Sequence, residues 1–299
     1  MKTSIGDRGL TRRGVLAGAA GALALGGRWA SGETKPGGPV VTKGRIKQSV
    51  CAWCFTKTMS LESLAGEVAA MGVKSIELVD PKDFGILKKH GLICAITGSH
   101  GFVRGFNHKE NHPWAVDIVQ KRIDACSASG ICPTIIVFSG FRKGLPDDVG
   151  LENTVEGLKK VVGYAEKKKV TLCLEVLNSR VNVEMKGHPD YMCDKVEWAV
   201  EVCRRISSPR MTLLFDIYHV QIMQGDVITR IRQFHPYIGR YHTAGVPGRN
   251  EIDDTQELNY PAIMKVIAET GYQGYVGQEF IPTRDPLQSL RDALKRCDV

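Results

Sequence analysis

The stretch Thr212-Leu213-Leu214-Phe215-Asp216 is one of four short apolar runs in the second half of the chain that each end on an ionisable residue. The other three are Leu172-Cys173-Leu174-Glu175, Ile238-Gly239-Arg240-Tyr241-His242 and Tyr275-Val276-Gly277-Gln278-Glu279. Their last residues are 41, 26 and 37 positions apart. One strand plus one helix takes a comparable length in a (β/α)8 barrel of ~250 residues. The spacing therefore predicts parallel strands whose ends meet at one mouth.

From residue 46 onwards, apolar runs alternate with amphipathic stretches. The predicted strands are 46–54, 75–79, 92–98, 134–138, 171–176, 211–216, 238–243 and 274–280. The predicted helices are 61–71, 82–90, 112–128, 151–168, 190–206, 222–235, 260–269 and 285–297, and Ser60 is expected to cap the first. Alternation of this kind indicates an α/β protein with a single-domain (β/α)8 TIM barrel. A doubly wound open sheet is the main rival, but no glycine-rich phosphate fingerprint follows the first strand.

The N-terminal segment has the composition of an export signal. Basic residues, with Arg12-Arg13 in a twin-arginine pattern, precede an apolar run of small residues that is too short to span a bilayer. We predict a signal peptide at residues 1–31, a linker at 32–45 and the catalytic barrel at 46–299. The protein is then exported by the twin-arginine pathway to the periplasm or beyond, without stable membrane insertion. A disordered basic tail is the alternative.

Charge and cysteine content narrow the function classes. The net charge is +8, but residues 1–47 contribute +7 of it, so the body of the chain is nearly neutral. A nucleic-acid partner is therefore not expected, because such proteins carry a basic surface on the folded body. The nine cysteines lie mostly inside predicted strands and helices, where cysteine behaves as a small buried hydrophobe. The Cys51-Ala-Trp-Cys54 spacing would suit redox or zinc chemistry, but no second cysteine pair follows it.

Residues at the carboxyl ends of barrel strands are the candidates for chemistry. The candidates are Trp53, Glu77, His100, Ser139, Glu175, Asp216, His219, His242 and Glu279. Among them, the three carboxylates and one imidazole that end the four runs suit one divalent metal ion, Mg²⁺ or Mn²⁺ first, with Zn²⁺ or Co²⁺ as further choices. A carboxylate that pairs with a basic side chain across the barrel is the alternative.

Four further residues are predicted to bind substrate. His219 follows Asp216 in the next turn and is expected to hydrogen-bond a substrate oxygen, or else to be a structural histidine. Arg249 lies on a glycine-rich loop after His242 and is expected to clamp a carboxylate, or else to be a solvated charge. Trp53 and His100 complete this set because they lie at, or just after, the end of a predicted strand.

Four motifs carry a resemblance to a known family. They are Glu175-Val176-Leu177-Asn178, Asp216-Ile217-Tyr218-His219, the segment from His242 to Glu251 with Val246-Pro247-Gly248-Arg249, and Gly271-Tyr272-Gln273-Gly274-Tyr275-Val276-Gly277-Gln278-Glu279. Together they resemble the hydroxypyruvate isomerase family, which belongs to the xylose isomerase-like TIM barrels and has the ketose 3-epimerases as relatives. The similarity spans residues 46–297.

The resemblance implies an aldose–ketose isomerase or epimerase with a metal ion held by Glu175, Asp216, His242 and Glu279. It implies that Glu175 and Glu279 transfer a proton through a metal-bound enediolate of a small hydroxy-acid or sugar. His242 stands where many hydroxypyruvate isomerases have glutamine and the sugar epimerases have histidine, so the substrate stays open. The alternatives are a sugar 3-epimerase, a sugar lyase or dehydratase, and a non-catalytic sugar or metal binder. An endonuclease IV-like phosphodiesterase is a remote alternative, because the Asp-x-His motif that such an enzyme needs after His242 is absent from this sequence. Monomer and homo-oligomer are both open.

Overall fold

Most strands of the barrel lie close to their predicted positions in the sequence. The computed structural model describes residues 38–299, so the predicted signal peptide and the first part of the linker lie outside the described residues. The strands are β1 (Lys47–Cys51), β2 (Ser75–Glu77), β3 (Thr134–Val137), β4 (Thr171–Glu175), β5 (Met211–Asp216), β6 (Ile238–Thr243) and β7 (Tyr275–Gln278). They pair in parallel in the order β2-β1-β7-β6-β5-β4-β3, and nearly all of their residues are buried. This curled sheet with outer helices confirms a TIM-barrel-like fold in one domain.

The predicted strand at 92–98 is not a regular strand in the structure. It makes two isolated parallel bridges. In one, Ile93 pairs with Ser75 of β2, and in the other, Thr97 pairs with Ile135 of β3. The segment therefore lies between the two edge strands of the sheet. The ladder is interrupted because the Ala95 amide donates to the Ser75 hydroxyl at 3.0 Å rather than to a strand carbonyl. The sheet therefore has seven regular strands within the described residues, and an irregular segment takes the eighth position.

Helices follow most of the strands. They are α1 (Leu61–Ala70), α2 (Phe84–Lys89), α3 (His112–Ser129), α4 (Asp147–Lys168), α5 (Val196–Ile206), α6 (Ile217–Met223), α7 (Val227–Phe234), α8 (Tyr260–Glu269) and α9 (Pro286–Cys297). The Ser60 hydroxyl accepts the Ser63 amide, as predicted for the cap of α1. The predictions for 190–206 and 222–235 were wrong in extent. α5 begins only at Val196, and the second region contains two helices, because Gly225 and Asp226 adopt positive φ between α6 and α7.

The segment before β1 is attached to the barrel. The Val40 and Val41 amides donate to the Met71 carbonyl at the end of α1. The Asp298 carboxylate accepts the Thr42 and Lys43 amides at 2.7 and 2.9 Å. Within the described part of the chain, no helix is both long enough and apolar enough to cross a bilayer.

Close backbone packing near the mouth depends on glycine. A Cβ on Gly105 would lie 2.3 Å from the Ser139 carbonyl group, which follows β3 and accepts the Asn107 amide at 2.8 Å. We expect Gly105→Ala to lower the free energy of unfolding in urea by ~1–3 kcal/mol, because two backbone segments must separate. Gly163→Ala, on the exposed face of α4 with no atom within 4 Å, is the matched control. It should instead raise stability by ~0.5–1 kcal/mol. Equal effects of the two changes would contradict this packing argument.

Candidate active site

The four predicted metal ligands meet at the carboxyl ends of β4, β5, β6 and β7. One ligand atom from each of Glu175, Asp216, His242 and Glu279 lies within 4.8 Å of all the others, and all four residues are buried. Strand register explains this convergence, since Asp216 on β5 is paired directly with His242 on β6. Three carboxylates and one imidazole at such distances fit a single hard or borderline divalent cation.

The imidazole of His242 faces two different groups. Its Nδ1 lies 2.9 Å from a Glu279 oxygen and 3.7 Å from a Glu175 oxygen, so this nitrogen belongs to the carboxylate cluster. Its Nε2 points away from the cluster, 3.7 Å from a Glu77 oxygen and 4.0 Å from the Cys51 sulfur. Glu77 thereby lies behind His242, on the side remote from the other three ligands. A carboxylate in this position fixes the orientation of a metal-binding histidine.

Asp216 has a structural role besides its place in the cluster. Its Oδ1 accepts the His219 amide at 3.0 Å and so caps α6. The Nδ1 of His219 accepts the Asn178 amide at 3.1 Å, which places the imidazole proton on Nε2. That Nε2 is buried, lies 3.8 Å from Asp216 Oδ2 and has no hydrogen-bond partner within residues 38–299. A buried donor without a partner indicates a group that awaits a ligand.

Arg249 and Trp53 hold Glu279 from two directions. The Arg249 Nη2 lies 2.6 Å from Glu279 Oε2 and 3.6 Å from Asp216 Oδ2, and the guanidinium packs 5.2 Å from the Trp53 ring centroid. The Trp53 indole donates to Glu279 Oε1 at 2.9 Å. The Nε of Arg249 is a second buried donor that has no partner in the described region. Both residues thus contact the cluster, and Arg249 keeps one donor free.

Burial and like charges shift the acidities of the cluster. Burial, with the neighbouring Glu279 charge adding to it, raises the pKa of Asp216 to about 7 despite the opposing charge of Arg249. Burial likewise raises the pKa of Glu175. Burial also acts on Glu279, but the charges of His242 and Arg249 outweigh it and hold the pKa of that carboxyl well below its usual range. A divalent cation among these groups would stabilise their ionised forms.

A cavity of about 230 Å³ opens above the cluster. Glu175 and Glu279 are in its wall with Trp53 and Arg249, so both predicted catalytic carboxylates face it. The remaining wall residues are Leu78, Gly98, Ser99, Gly101, Phe102, Ile136, Phe138, Leu177, Met185 and His188. Asp216 and His242 lie outside the wall, beneath the two glutamates. The site is therefore a small chamber with ionisable groups at its floor and mostly apolar sides.

Two strand-end candidates are placed away from this chamber. His100 packs among Phe106, Trp114 and Phe138, with ring centroids 5.2 to 5.9 Å apart, and its Nδ1 lies 3.0 Å from the Arg104 carbonyl. Ser139 is fully buried and accepts the Cys193 amide at 3.0 Å. Neither residue contributes to the cavity wall. The surroundings of His100 are those of a packed histidine, although its Nε2 has no partner within residues 38–299, and its role in substrate binding stays a prediction.

The structure adds two residues that the sequence patterns did not indicate. Arg240 lies on β6, two positions before His242 and on the same face of the strand. It is buried and forms an ion pair with Glu77. His188 is buried in the cavity wall, on the loop after β4. The Cys51–Cys54 pair, by contrast, forms no disulfide, and all nine cysteines are free and buried.

Comparison with known proteins places the chain in a family. The family model described as xylose isomerase-like TIM barrel matches residues 66–297. The chain belongs to this family. A mouse family relative named "Putative hydroxypyruvate isomerase" is 32% identical over 250 residues, which cover 82% of this chain and 83% of that protein. A human protein of the same name is 30% identical over 164 residues, 53% of this chain and 57% of that protein.

One further sequence relative is named an isomerase, and two solved structures share the fold. A 2-oxo-tetronate isomerase of Cupriavidus necator is 32% identical over 128 residues, 43% of this chain and 46% of that protein. The crystal structure of an AP endonuclease, family 2, from Brucella melitensis superposes with a TM-score of 0.70 at 24% identity, covering 82% of this chain and 97% of the other. A D-psicose 3-epimerase superposes with a TM-score of 0.68 at 13% identity, covering 84% and 96%. The two structures share the fold, and the names of the sequence relatives are consistent with an isomerase or epimerase enzyme.

Proposed function

We propose that this protein is a divalent-metal-dependent isomerase of a small hydroxy-carbonyl acid such as hydroxypyruvate. The observation that supports it most is the placement of Glu175 and Glu279, which belong to the four-ligand cluster and also face the cavity. The cavity volume of about 230 Å³ suits a short substrate, since pockets for drug-sized ligands are ~300–1,000 Å³. The isomerase names of the mouse and Cupriavidus necator relatives agree with this reaction class.

All four residues of the cluster would hold the cation, and the two glutamates among them would also transfer protons. Glu175, Asp216, His242 and Glu279 would hold the cation, which when bound supplies Lewis-acid polarisation of the substrate carbonyl. One of the two cavity glutamates removes the proton from the hydroxyl-bearing carbon next to the carbonyl. A carboxylate then returns a proton to the former carbonyl carbon, while a second proton moves between the two oxygens. Proton transfer by positioned groups of this kind contributes ~10²–10⁴-fold to the rate.

The unpartnered donors beside the cluster supply substrate binding. The Nε2 of His219 and the Nε of Arg249 are buried N–H groups without partners in the described chain. His219 is neutral, because burial holds its pKa well below the usual range. It therefore donates to a substrate oxygen without adding a positive charge. Arg249, which is anchored on Glu279, offers its remaining donor to a carboxylate of the substrate.

A sugar 3-epimerase is the second candidate, and His242 is the observation that favours it. Histidine at this position is a feature of the ketose 3-epimerases to which the motifs are similar. Return of the proton to the opposite face of the same carbon would use the same two glutamates. A sugar lyase or dehydratase would use the same base and differ in the second step, where a leaving group departs instead of reprotonation.

Proton exchange from heavy water distinguishes these candidates. The purified full chain, loaded with Mn²⁺, is incubated with hydroxypyruvate, D-fructose or D-tagatose and followed by proton NMR. An isomerase exchanges the hydrogens beside the carbonyl of hydroxypyruvate and forms the aldehyde isomer, whereas an epimerase acts on C3 of the ketoses. A lyase or dehydratase forms an unsaturated or dehydrated product. Absence of deuterium uptake in all three compounds would contradict an enzyme of this class.

Metal binding should also stabilise the fold. Mn²⁺ at 100 times its dissociation constant is expected to raise the free energy of unfolding by ~2.7 kcal/mol relative to EDTA-treated protein, because only the folded chain brings the four ligands together. Thermal or urea unfolding measures the difference. The Asp216→Asn variant should lose most of it. Asp117→Asn, at an exposed carboxylate paired with Lys121, is the control and should keep it. Equal stabilisation of all three proteins would exclude this cluster as the metal site.

A further inference from the structure

We propose that His188 is a specificity-determining residue that hydrogen-bonds the substrate oxygen most remote from the carboxylate cluster. The proposal rests on the proposed function, since it concerns the substrate of the same cavity. His188 lies in the cavity wall and is 4% exposed. Within residues 38–299 its imidazole makes ring contacts but no hydrogen bond. An imidazole that lines a cavity and makes no hydrogen bond to the described chain is available to a ligand in that cavity.

Apart from the free Nε of Arg249, the other polar side chains of the cavity wall are already engaged. The Ser99 hydroxyl donates to the Ile136 carbonyl, and the Trp53 indole donates to Glu279. Glu175, Glu279 and Arg249 belong to the floor of the site. The remaining wall side chains are apolar. His188 is therefore the uncharged side chain of this wall whose donor is available for a substrate oxygen.

The position of the His188 ring is fixed before any ligand binds. Its backbone amide donates to the Asn178 carbonyl at 2.8 Å, and its ring lies 4.2 Å from the ring of Phe102, which comes from the loop before α3. On the other side it lies 5.7 Å from His219. A group held in this way loses little entropy on binding, which improves both affinity and selectivity.

The ionisation state of His188 agrees with this role. Burial, with the charge of Arg249 adding to it, lowers the pKa of the imidazole to about 4. The ring is consequently neutral at physiological pH and carries one donor and one acceptor. A site with such a group discriminates against analogues that lack the matching oxygen, because its polar atoms then remain unpaired. For hydroxypyruvate the remote oxygen belongs to the carboxylate, and hydroxyacetone, with a methyl group there, lacks it.

Two substitutions of His188 test the role. His188→Phe keeps the aromatic contact with Phe102 but removes the hydrogen bond, and His188→Gln restores a donor. In the Mn²⁺-loaded full chain, His188→Phe should raise KM for hydroxypyruvate about tenfold and change kcat by less than about threefold, the effect of one lost hydrogen bond. The preference for hydroxypyruvate over hydroxyacetone should shrink by the same factor. His188→Gln should recover most of both. His235→Phe, at an exposed histidine, is the matched control.

Calorimetric titration with hydroxypyruvate and D-fructose separates this proposal from the proposed function. Binding and turnover by the wild type that are unchanged in His188→Phe overturn the role of His188 alone. Binding by the wild type without turnover contradicts the isomerase, and about tenfold weaker binding by His188→Phe then still supports the role. No binding of either compound to the wild type overturns both. Urea midpoints of the two variants that match the wild type show that the loop remains folded, and a lower midpoint in both would assign His188 to structure instead.

Discussion

Glu279→Gln is expected to slow proton exchange between substrate and water by at least ~10²-fold while the barrel stays folded. Glutamine cannot accept the proton, and positioned proton transfer accounts for ~10²–10⁴-fold of the rate. The substitution also weakens the contacts with His242 at 2.9 Å and Arg249 at 2.6 Å. Hydrogen bonds to charged groups are worth ~1.5–3 kcal/mol, so a lower melting temperature is expected as well. Deuterium uptake measured by NMR, with circular dichroism for the fold, checks both effects.

A second variant separates loss of the base from loss of the metal. Asp216→Asn removes a proposed metal ligand that is not part of the cavity wall, whereas Glu279 faces the cavity itself. Excess Mn²⁺ should therefore recover much of the activity of Asp216→Asn and little of that of Glu279→Gln. Glu110→Gln, at a side chain that is 75% exposed, is the matched control and should behave as wild type. If Glu279→Gln exchanged protons within about threefold of the wild-type rate, Glu279 would be removed from the proposed mechanism. Loss of a general acid–base group should instead slow exchange by at least ~10²-fold.

The convergence of the four cluster residues could be predicted from the sequence because parallel strands place their ends together. An apolar run fixes where each strand lies, and the ionisable residue that ends the run then falls at the barrel mouth. The observed register agrees, since Asp216 pairs with His242, and His242 pairs with Gly277 two residues before Glu279. Both the fold and the convergence of the cluster residues can therefore be predicted from the spacing of the runs. Its function as a metal site stays a prediction.

Arg240 shows what the apolar runs conceal. It lies within the run that ends at His242, and a single charge in a strand gives no sign of which way it faces. Its distance of two positions from His242 does place the two side chains on one face. A buried arginine then requires an acid on a neighbouring strand. The identity of that acid depends on the curvature of the sheet, which brings β2 opposite β6. The sequence alone does not give this curvature.

Loops and helix starts were harder to predict for a different reason. Where one helix was predicted at 222–235 there are two, and the first begins at Ile217, because Asp216 ends β5 and caps α6 with the same side chain. Because Asp216 has both roles, no loop residues separate β5 from α6, and the sequence pattern gives no sign of where the helix begins. His188 lies in a loop without periodicity, and its position depends on contacts with Asn178 and Phe102 that are distant in sequence. Such contacts become visible only in three dimensions.

Glu77→Gln is expected to destabilise the protein by ~3–5 kcal/mol. Glu77 is fully buried at the end of β2, and Arg240 is 2% exposed on β6, so their ion pair is shielded from water. Removal of one partner leaves a buried charge without compensation, which is the costly case for such pairs. The charges of Arg240 and His242 outweigh burial and lower the pKa of Glu77, so the carboxylate is ionised at neutral pH. Urea unfolding at pH 7 measures the loss.

The double variant Glu77→Gln/Arg240→Met should recover most of that stability, because an apolar side chain of similar length replaces the unpaired charge. Glu156→Gln breaks exposed ion pairs with Lys109 and Lys160 and is the matched control. Its expected cost is within ~1 kcal/mol. A cost of Glu77→Gln as small as this would show that water reaches the pair. Recovery of stability without recovery of Mn²⁺ affinity would show that Glu77 also orients His242, whose Nε2 it faces at 3.7 Å. Recovery of both would limit Glu77 to neutralising Arg240.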